Sequence, residues 1–211
     1  MSFDYKKEEK YLYLPPTKPT IVEVPPMNYV AVRGEGNPNE KGSTYEDALG
    51  ILYSLAYTLK MSYKGPYKMK GFFEYVVPPL EGFWWQENVD GIDYNRKKSF
   101  QWISVIRLPD FIKKEDLSWA VKEVEIKKKI DCSLAEFLTI KEGLCVQMMH
   151  HGPYDEEPAT IAMMEQYLQE QGYVNDFTKG RLHHEIYLSD PRKVELDRLK
   201  TVIRHPIKKK S

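Results

Sequence analysis

The clearest hydrophobic pattern in the chain lies between residues 43 and 65 and has the period of an α-helix. Apolar side chains recur every three or four positions, at Ala48, Leu52, Leu55 and Leu59. Side chains with this spacing share one face of a helix, so we expect them to be buried. Ser43 and Glu46 have the spacing of a capping box, and Gly65-Pro66 ends the pattern. A neighbouring stripe of the same helix carries tyrosines.

Extended patterns flank this helix on both sides. Residues 20–36 read as a strand that is interrupted by Pro25-Pro26, which must lie at an edge or a bulge because proline has no amide donor. Further strands are expected at about residues 68–77 and 99–108. Between these two strands we expect a long aromatic loop at residues 78–86.

The same kinds of pattern recur in the second half of the chain, after an amphipathic helix. The expected elements are a linking helix at 114–129, strands at 135–140 and 144–152, a helix from Asp155 to Gly172, and strands at 182–188 and 201–207. Asp190-Pro191 is expected to start a short helix. Residues 1–19 read as a lead-in arm, and the lysines after residue 207 as a disordered tail.

Four features occur in the same order in both halves and predict an internal duplication. A strand closing on glycine, a capped helix and two further strands make up each half. The matched strands are 29–36 with 145–152, 73–77 with 184–188, and 105–109 with 202–206. We therefore predict an α+β fold of two tandem strand-helix-strand-strand modules, at about residues 20–110 and 130–207. They would pack with pseudo-twofold symmetry around one antiparallel sheet and leave a groove along the axis.

Composition narrows the possible functions. The 211 residues carry 31 basic and 31 acidic side chains, so no net charge attracts nucleic acid, and no helix-turn-helix module precedes the core. No apolar run approaches the roughly 20 residues of a membrane helix, and the start lacks a signal core. Cys132 and Cys145 read as reduced cysteines of a cytoplasmic protein. The histidines show no zinc-type spacing, and neither a metal nor another cofactor is expected.

Two motifs near the end of the chain carry a family resemblance. They are His151-Gly-Pro-Tyr154 and Glu185-Ile-Tyr187-Leu-Ser-Asp190-Pro191. With the helix between them, they make residues 20–207 similar to the GyrI-like family, the effector-binding domain of multidrug-sensing regulators. The resemblance implies a curved sheet with a central groove that binds bulky aromatic compounds, often cations. It also implies an acidic anchor at Glu185. Some stand-alone members are associated with hydrolysis of cyclopropane-bearing alkylating natural products, and this chain resembles that branch.

Glu185 and Tyr187 are the candidate catalytic residues. They share one face of a strand because side chains alternate with period two. A carboxylate facing a groove would have a raised pKa unless a cation or a donor meets it. Glu185 could therefore be a counter-charge for a bound cation or a general base. Glu74 is expected to be the repeat mate of Glu185 and to flank the groove from the other half.

The remaining candidates are ligand-binding residues. Trp84 and Trp85 are expected in the aromatic loop, where they could stack on a planar ligand or roof the core. Tyr53 and Tyr57 lie on one side of the first long helix, which faces either the groove or the edge of the core. Three further candidates are Met148, His150 and Tyr154. Each of these also has a structural interpretation.

These residues support two main hypotheses. In the first, the protein is a hydrolase in which Glu185 activates water and Tyr187, or another groove tyrosine, donates to a developing phenolate. In the second, the same groove binds a planar cation reversibly, and the protein sequesters or senses it. A third hypothesis, a protein-binding role such as topoisomerase inhibition, is weakly opposed by the neutral charge balance.

Overall fold

Nine strands and five α-helices are formed by the residues that the structure describes. The computed structural model describes residues 2–89 and 91–210. The strands are β1 (Thr20–Val24), β2 (Met27–Glu35), β3 (Leu80–Trp85), β4 (Gln101–Leu108), β5 (Glu136–Ile140), β6 (Gly143–His151), β7 (Tyr173–Asn175), β8 (His183–Tyr187) and β9 (Lys200–Lys209). The helices are α1 (Tyr5–Glu8), α2 (Lys10–Tyr13), α3 (Thr44–Met61), α4 (Lys114–Lys128) and α5 (Glu157–Gln171). No helix among the described residues is both long and apolar enough to cross a membrane.

The strands form one antiparallel, curved and unclosed sheet, which confirms the predicted α+β fold. The order is β1-β6-β9-β8-β3-β4-β2-β5, and β7 pairs with the end of β9. Each half contributes the predicted strand-helix-strand-strand series, β2-α3-β3-β4 and β6-α5-β8-β9. The halves join at the centre of the sheet, where β3 and β8 pair with Gly82 opposite Glu185.

The strand predicted at residues 68–77 is wrong, and β3 occupies the predicted aromatic loop instead. Between residues 68 and 77 the only pairing is a bridge from Tyr75 to Phe3. Pro78-Pro79 cannot donate to a ladder, so the strand begins directly after them. β3 pairs with β4 on one side and β8 on the other. Because it is buried on both faces, it lacks the alternation that marks an exposed strand.

The two faces of the sheet are covered differently. Helices α3 and α5 pack on one face, and α4 packs on α3 through Leu117, Ala120 and Val124. The predicted lead-in arm covers the other face. Tyr5, Leu12 and Tyr13 are buried there against the sheet, and the buried Arg204 guanidinium donates to the Leu12 carbonyl at 2.7 Å.

Several smaller expectations about the chain ends and turns need correction. The lysine tail is not disordered up to Lys209, because β9 continues that far and β7, which the pattern did not predict, pairs with it. No α-helix starts at Asp190-Pro191. A turn follows there, and a 3-10 turn at Leu196–Arg198 leads into β9. The linking helix and the Gly172 cap are found as expected. Helix α5 begins at Glu157, two residues after the expected start at Asp155, because Tyr154–Glu156 form a 3-10 turn.

The N-cap of α3 provides a first testable prediction. The Ser43 side chain accepts a hydrogen bond from the Glu46 amide, as the capping box predicted. Replacing Ser43 with alanine leaves that amide without its partner, and we expect the free energy of unfolding to fall by about 1 kcal/mol. Chemical denaturation measures the change. Ser118→Ala, in the exposed middle of α4, is the control and should be neutral within about 0.5 kcal/mol. Equal losses in both variants would contradict the capping role.

Candidate functional site

A cavity of about 790 Å³ lies on the face of the sheet that carries α3 and α5. Its floor is formed by β3 and β8, one wall by α3, and the other by the start of the α5 segment. Aromatic rings line most of it: Tyr45, Tyr53, Tyr57, Trp84, Tyr94 and Tyr154. Its volume is that of a site for a drug-sized ligand, and its composition is mostly apolar with a few polar groups.

Glu185 supplies the carboxylate at the floor of this cavity. One carboxylate oxygen, Oε1, lies 2.8 Å from His183 Nε2, and the other, Oε2, accepts from the Tyr187 hydroxyl at 2.7 Å. The Tyr187 hydroxyl itself accepts from Trp84 Nε1 at 2.9 Å. Burial by itself raises the pKa of Glu185, but the donors from His183 and Tyr187 outweigh it and hold the pKa below its ordinary value. Glu185 is therefore ionised at neutral pH.

A second carboxyl group, Glu157, lies beside Glu185. It is fully buried at the first turn of α5, and its Oε2 accepts from the Tyr94 hydroxyl at 2.7 Å. Its Oε1 has no hydrogen-bond partner among the described residues when the group is ionised. Burial, together with the charge on Glu185, raises the pKa of Glu157 well above its ordinary value. A proton on Glu157 can be donated to Glu185, so the two groups can share one proton.

The same cluster has the composition of a metal site, because ligand atoms of Glu157, His183 and Glu185 lie within 4.8 Å of one another. His183 Nε2 and Glu185 Oε1 lie 2.8 Å apart, which is the length of a hydrogen bond. A metal ion would need both atoms to turn their lone pairs to a common centre. We therefore interpret the cluster as a proton-sharing site. The expectation that the protein uses neither a metal nor another cofactor stays a prediction.

Six of the ten candidate residues meet at this cavity. Glu185, Tyr187 and Trp84 form the floor, Tyr53 and Tyr57 lie on the α3 wall, and Tyr154 lies on the opposite wall. The shared strand face of Glu185 and Tyr187 is confirmed by their direct hydrogen bond. Their roles in ligand binding and catalysis stay predictions.

The tryptophan pair lies in a strand and not in the predicted aromatic loop. Both residues belong to β3, so their side chains point to opposite faces of the sheet. Trp84 is buried on the cavity side, where it also contacts Tyr45. Trp85 packs against the core on the arm side. The prediction that both indoles cover the groove is therefore wrong for Trp85.

Glu74, Met148 and His150 lie away from the cavity, so their predicted groove positions are wrong. Glu74 is exposed and precedes β3, the strand of the first half that pairs with β8. Met148 packs in the core between α5 and the sheet. His150 is buried, with its ring nitrogens 2.9 Å from Thr160 Oγ1 and 3.0 Å from the Pro153 carbonyl. This histidine is structural.

Sequence reasoning missed four polar residues of the site. His183 could have been found, because it shares the strand face of Glu185 and Tyr187 two positions away. Tyr45 belongs to the same helical stripe as Tyr53 but was not among the predicted ligand-binding residues. Glu157 resembles an ordinary first-turn acid of a helix. Tyr94 lies in a loop without periodicity, so no sequence signal marked either of these two residues.

Gly82 is required by the close packing at the floor. A β-carbon on Gly82 would lie 2.5 Å from Trp84 Nε1 and 2.9 Å from the Tyr187 hydroxyl. We expect Gly82→Ala to break the Trp84–Tyr187 hydrogen bond and to lower the free energy of unfolding by about 1–2 kcal/mol. Denaturation followed by tryptophan fluorescence measures both effects. Gly180→Ala is the control, since nothing lies within 4 Å of its new β-carbon. Unchanged stability and fluorescence in Gly82→Ala would refute this account.

Comparisons with known proteins agree with this fold. A sequence model of the GyrI-like small molecule binding domain matches residues 17–208. A hydrolase from Listeria innocua is 42% identical with a TM-score of 0.89, and covers 98% of this chain and 100% of its own. A second structure of a hydrolase from that organism is 43% identical with a TM-score of 0.91, covering 99% and 100%. The C-terminal domain of EcmrR is 15% identical (TM-score 0.57, 91% and 98% covered) and shares the fold alone. No curated protein matches the chain.

Proposed function

The chain belongs to the GyrI-like family of small molecule binding domains, and we propose that it is a hydrolase of bulky aromatic compounds, with Glu185 as the general base. One observation carries this proposal: the Glu185 carboxylate lies at the floor of an aromatic cavity, held by two donors and next to the carboxyl group of Glu157. Two Listeria innocua structures at 42–43% identity are described as hydrolases, which supports hydrolysis without specifying a substrate.

The proposed substrates are cyclopropane-bearing alkylating compounds in which the strained ring is conjugated to a dienone. Water attacks a carbon of the cyclopropane, and the bond from that carbon to the dienone ring breaks. The electron pair enters the dienone, which becomes an aromatic phenolate, and Glu185 takes the proton of the water. Because ring opening restores aromaticity, the protein has only to orient the water and stabilise the developing charge.

The hydrogen bonds of Glu185 suit it to this role. Its bonds to His183 and Tyr187 fix the carboxylate and leave a lone pair of an oxygen to accept a proton from water in the cavity. Tyr187 therefore acts by holding the base. Tyr154 contacts the Tyr187 ring edge-on and lines the cavity. Burial, with the charge of Glu185, raises the pKa of Tyr154 to about 12. A hydroxyl that stays protonated in this position can donate a hydrogen bond to the phenolate oxygen.

The proposal includes a protective role in the cytoplasm, where the compound would be opened before it alkylates DNA. The aromatic rings of the cavity would stack on the planar substrate and keep bulk water away from it. The neighbouring carboxyl groups would stay in their paired protonation states in this dry environment.

Reversible binding of a planar cation is the second candidate function. The buried negative charge of Glu185 and the aromatic rings around it favour this reading, because ring faces and a carboxylate both attract a cation. In this case the protein would sequester or sense its ligand without changing it.

An assay of the purified protein with a spirocyclopropyl-dienone compound separates the two functions. Mass spectrometry should show a product heavier by one water, formed over many turnovers per protein molecule. The same rate in the presence of a chelator is expected if no metal takes part. Absence of product, together with quenching of tryptophan fluorescence by a planar cation, would reject the hydrolase and support reversible binding.

A further inference from the structure

Two buried histidines continue the hydrogen-bond chain behind Glu185, on the side away from Tyr187. His183 on β8 uses both ring nitrogens: Nε2 lies 2.8 Å from Glu185 Oε1, and Nδ1 lies 2.7 Å from His205 Nε2 on β9. Both rings are almost completely buried. The atoms therefore form an unbroken series from the carboxylate through His183 to His205.

The position of the protons in this series follows from the groups at its two ends. Glu185 is a carboxylate, so it can only accept, and His183 must present an N–H at Nε2. His205 is neutral, because its burial lowers its pKa well below the ordinary value. Its Nδ1 has no hydrogen-bond partner among the described residues. An N–H at that atom would be buried without an acceptor, so the proton of His205 belongs on Nε2, where it is donated to His183 Nδ1.

We propose that His205 is a positioning residue for the hydrolysis, which fixes His183 in the tautomer whose Nε2–H holds the Glu185 carboxylate. This inference rests on the proposed function for its effect on rate, but the tautomer itself does not depend on turnover. An imidazole that bonds to a catalytic or ligating group is commonly oriented by a second partner on its other nitrogen. Here the second partner is another histidine on the adjacent strand.

Loss of the His205 donor should weaken the hold on Glu185. His183 could then place its proton on Nδ1 and turn a lone pair toward the carboxylate, which would raise the pKa of Glu185. The other titratable groups that face Glu185 are Tyr187 on its own strand, Glu157 on α5, Tyr45 on α3, and Tyr94 and Tyr154 from the walls. These groups remain in the variants described below, so a change in the acid limb of the rate profile reports on the histidines.

The test compares His205→Gln with His205→Asn in the full-length protein. The glutamine amide can reach the position of Nε2 and replace the donor, whereas the asparagine amide is one methylene shorter. We expect His205→Gln to keep the pH profile of kcat/KM. In His205→Asn the acid limb should move to higher pH, and kcat/KM below neutral pH should fall about 10-fold, in the range found for loss of an orienting partner. Because the cavity walls are unchanged, KM should stay within about twofold.

Nitrogen-15 NMR of the histidine rings gives a second readout without substrate. His183 should be an Nε2–H tautomer in the wild type and in His205→Gln, and a mixture of tautomers in His205→Asn. Identical tautomers and identical pH profiles in both variants would overturn the proposal. Thermal unfolding of each variant checks that it is folded. If the wild type shows no turnover but the tautomers change as expected, the hydrolase proposal fails while the positioning of His183 by His205 stands.

Discussion

Replacing Glu185 with glutamine is expected to lower kcat for hydrolysis by about 10²–10⁴-fold, the usual contribution of a general base. The amide is nearly the same size, so it fills the floor of the cavity but cannot take a proton from water. Single-turnover measurements by mass spectrometry determine the chemical step directly. Binding of an uncharged aromatic ligand, followed by tryptophan fluorescence, should change little because the aromatic walls remain.

Glu156→Gln is the matched control for this variant. Glu156 is exposed and precedes α5 by one residue, so it changes the net charge by the same amount without touching the Glu185 cluster. It should keep wild-type kcat. A Glu185→Gln variant that still hydrolyses at the wild-type rate would remove Glu185 from the mechanism. If instead neither protein turns over substrate and only Glu185→Gln loses affinity for a planar cation, Glu185 is a counter-charge.

Replacing Glu157 with glutamine is expected to make the stability of the protein less dependent on pH. The pKa of Glu157 is raised in the folded state above its ordinary value of 4.5, by burial and by the charge of Glu185. Above the unfolded pKa, the folded state therefore binds a proton that the unfolded state has released. The free energy of unfolding therefore falls as the pH rises from the unfolded-state pKa to the folded-state pKa of Glu157, and it levels off above the folded-state pKa. Glutamine has no proton to lose, so this part of the decline disappears.

The comparison is the free energy of unfolding of the two proteins between pH 5 and pH 9. As the pH rises, we expect the free energy of unfolding of Glu157→Gln to increase relative to that of the wild type. The expected increase is on the order of 1–3 kcal/mol, the usual cost of a buried polar group left unpaired. The glutamine amide can still accept from Tyr94 and donate to Glu185. Glu165→Gln, on the exposed side of α5, should follow the wild-type curve. A constant difference across the pH range would show that Glu157 is not the titrating group.

Local sequence patterns predicted the helices and strands that have one apolar face and one polar face. Helix α3 has one apolar stripe and a serine cap, and it was found from Thr44 to Met61. β3 was missed because both of its faces are buried and its residues resemble an aromatic loop. That error also shifted the repeat, since the strand placed at 68–77 made Glu74 the repeat mate of Glu185, whereas the strand of the first half that pairs with β8 is β3.

The candidate site was partly predictable for the same reason. Period-two alternation placed Glu185 and Tyr187 on one face, and their hydrogen bond follows from it. His183 and Tyr187, which lower the pKa of Glu185, lie on the same strand, but the other groups of the cluster come from elsewhere in the chain. Glu157 lies on α5, Tyr94 follows β3, and His205 lies on β9. Their distances from Glu185 depend on how the helices pack on the sheet, which local spacing does not encode.

The sequence by itself determined the α+β class, the duplicated order of elements and the family resemblance, because side-chain periodicity, caps and motifs are local properties. Only the tertiary structure decided which groups share protons. The pKa of Glu185 was expected to be raised unless a cation or a donor meets the carboxylate. Two donors do meet it and its pKa is lowered, whereas burial and the charge on Glu185 raise the pKa of Glu157. The physical reason is that a pKa depends on burial and on the charges within a few ångströms. The donors of Glu185 lie on its own strand, but its burial and its contact with Glu157 arise only when the helices pack on the sheet.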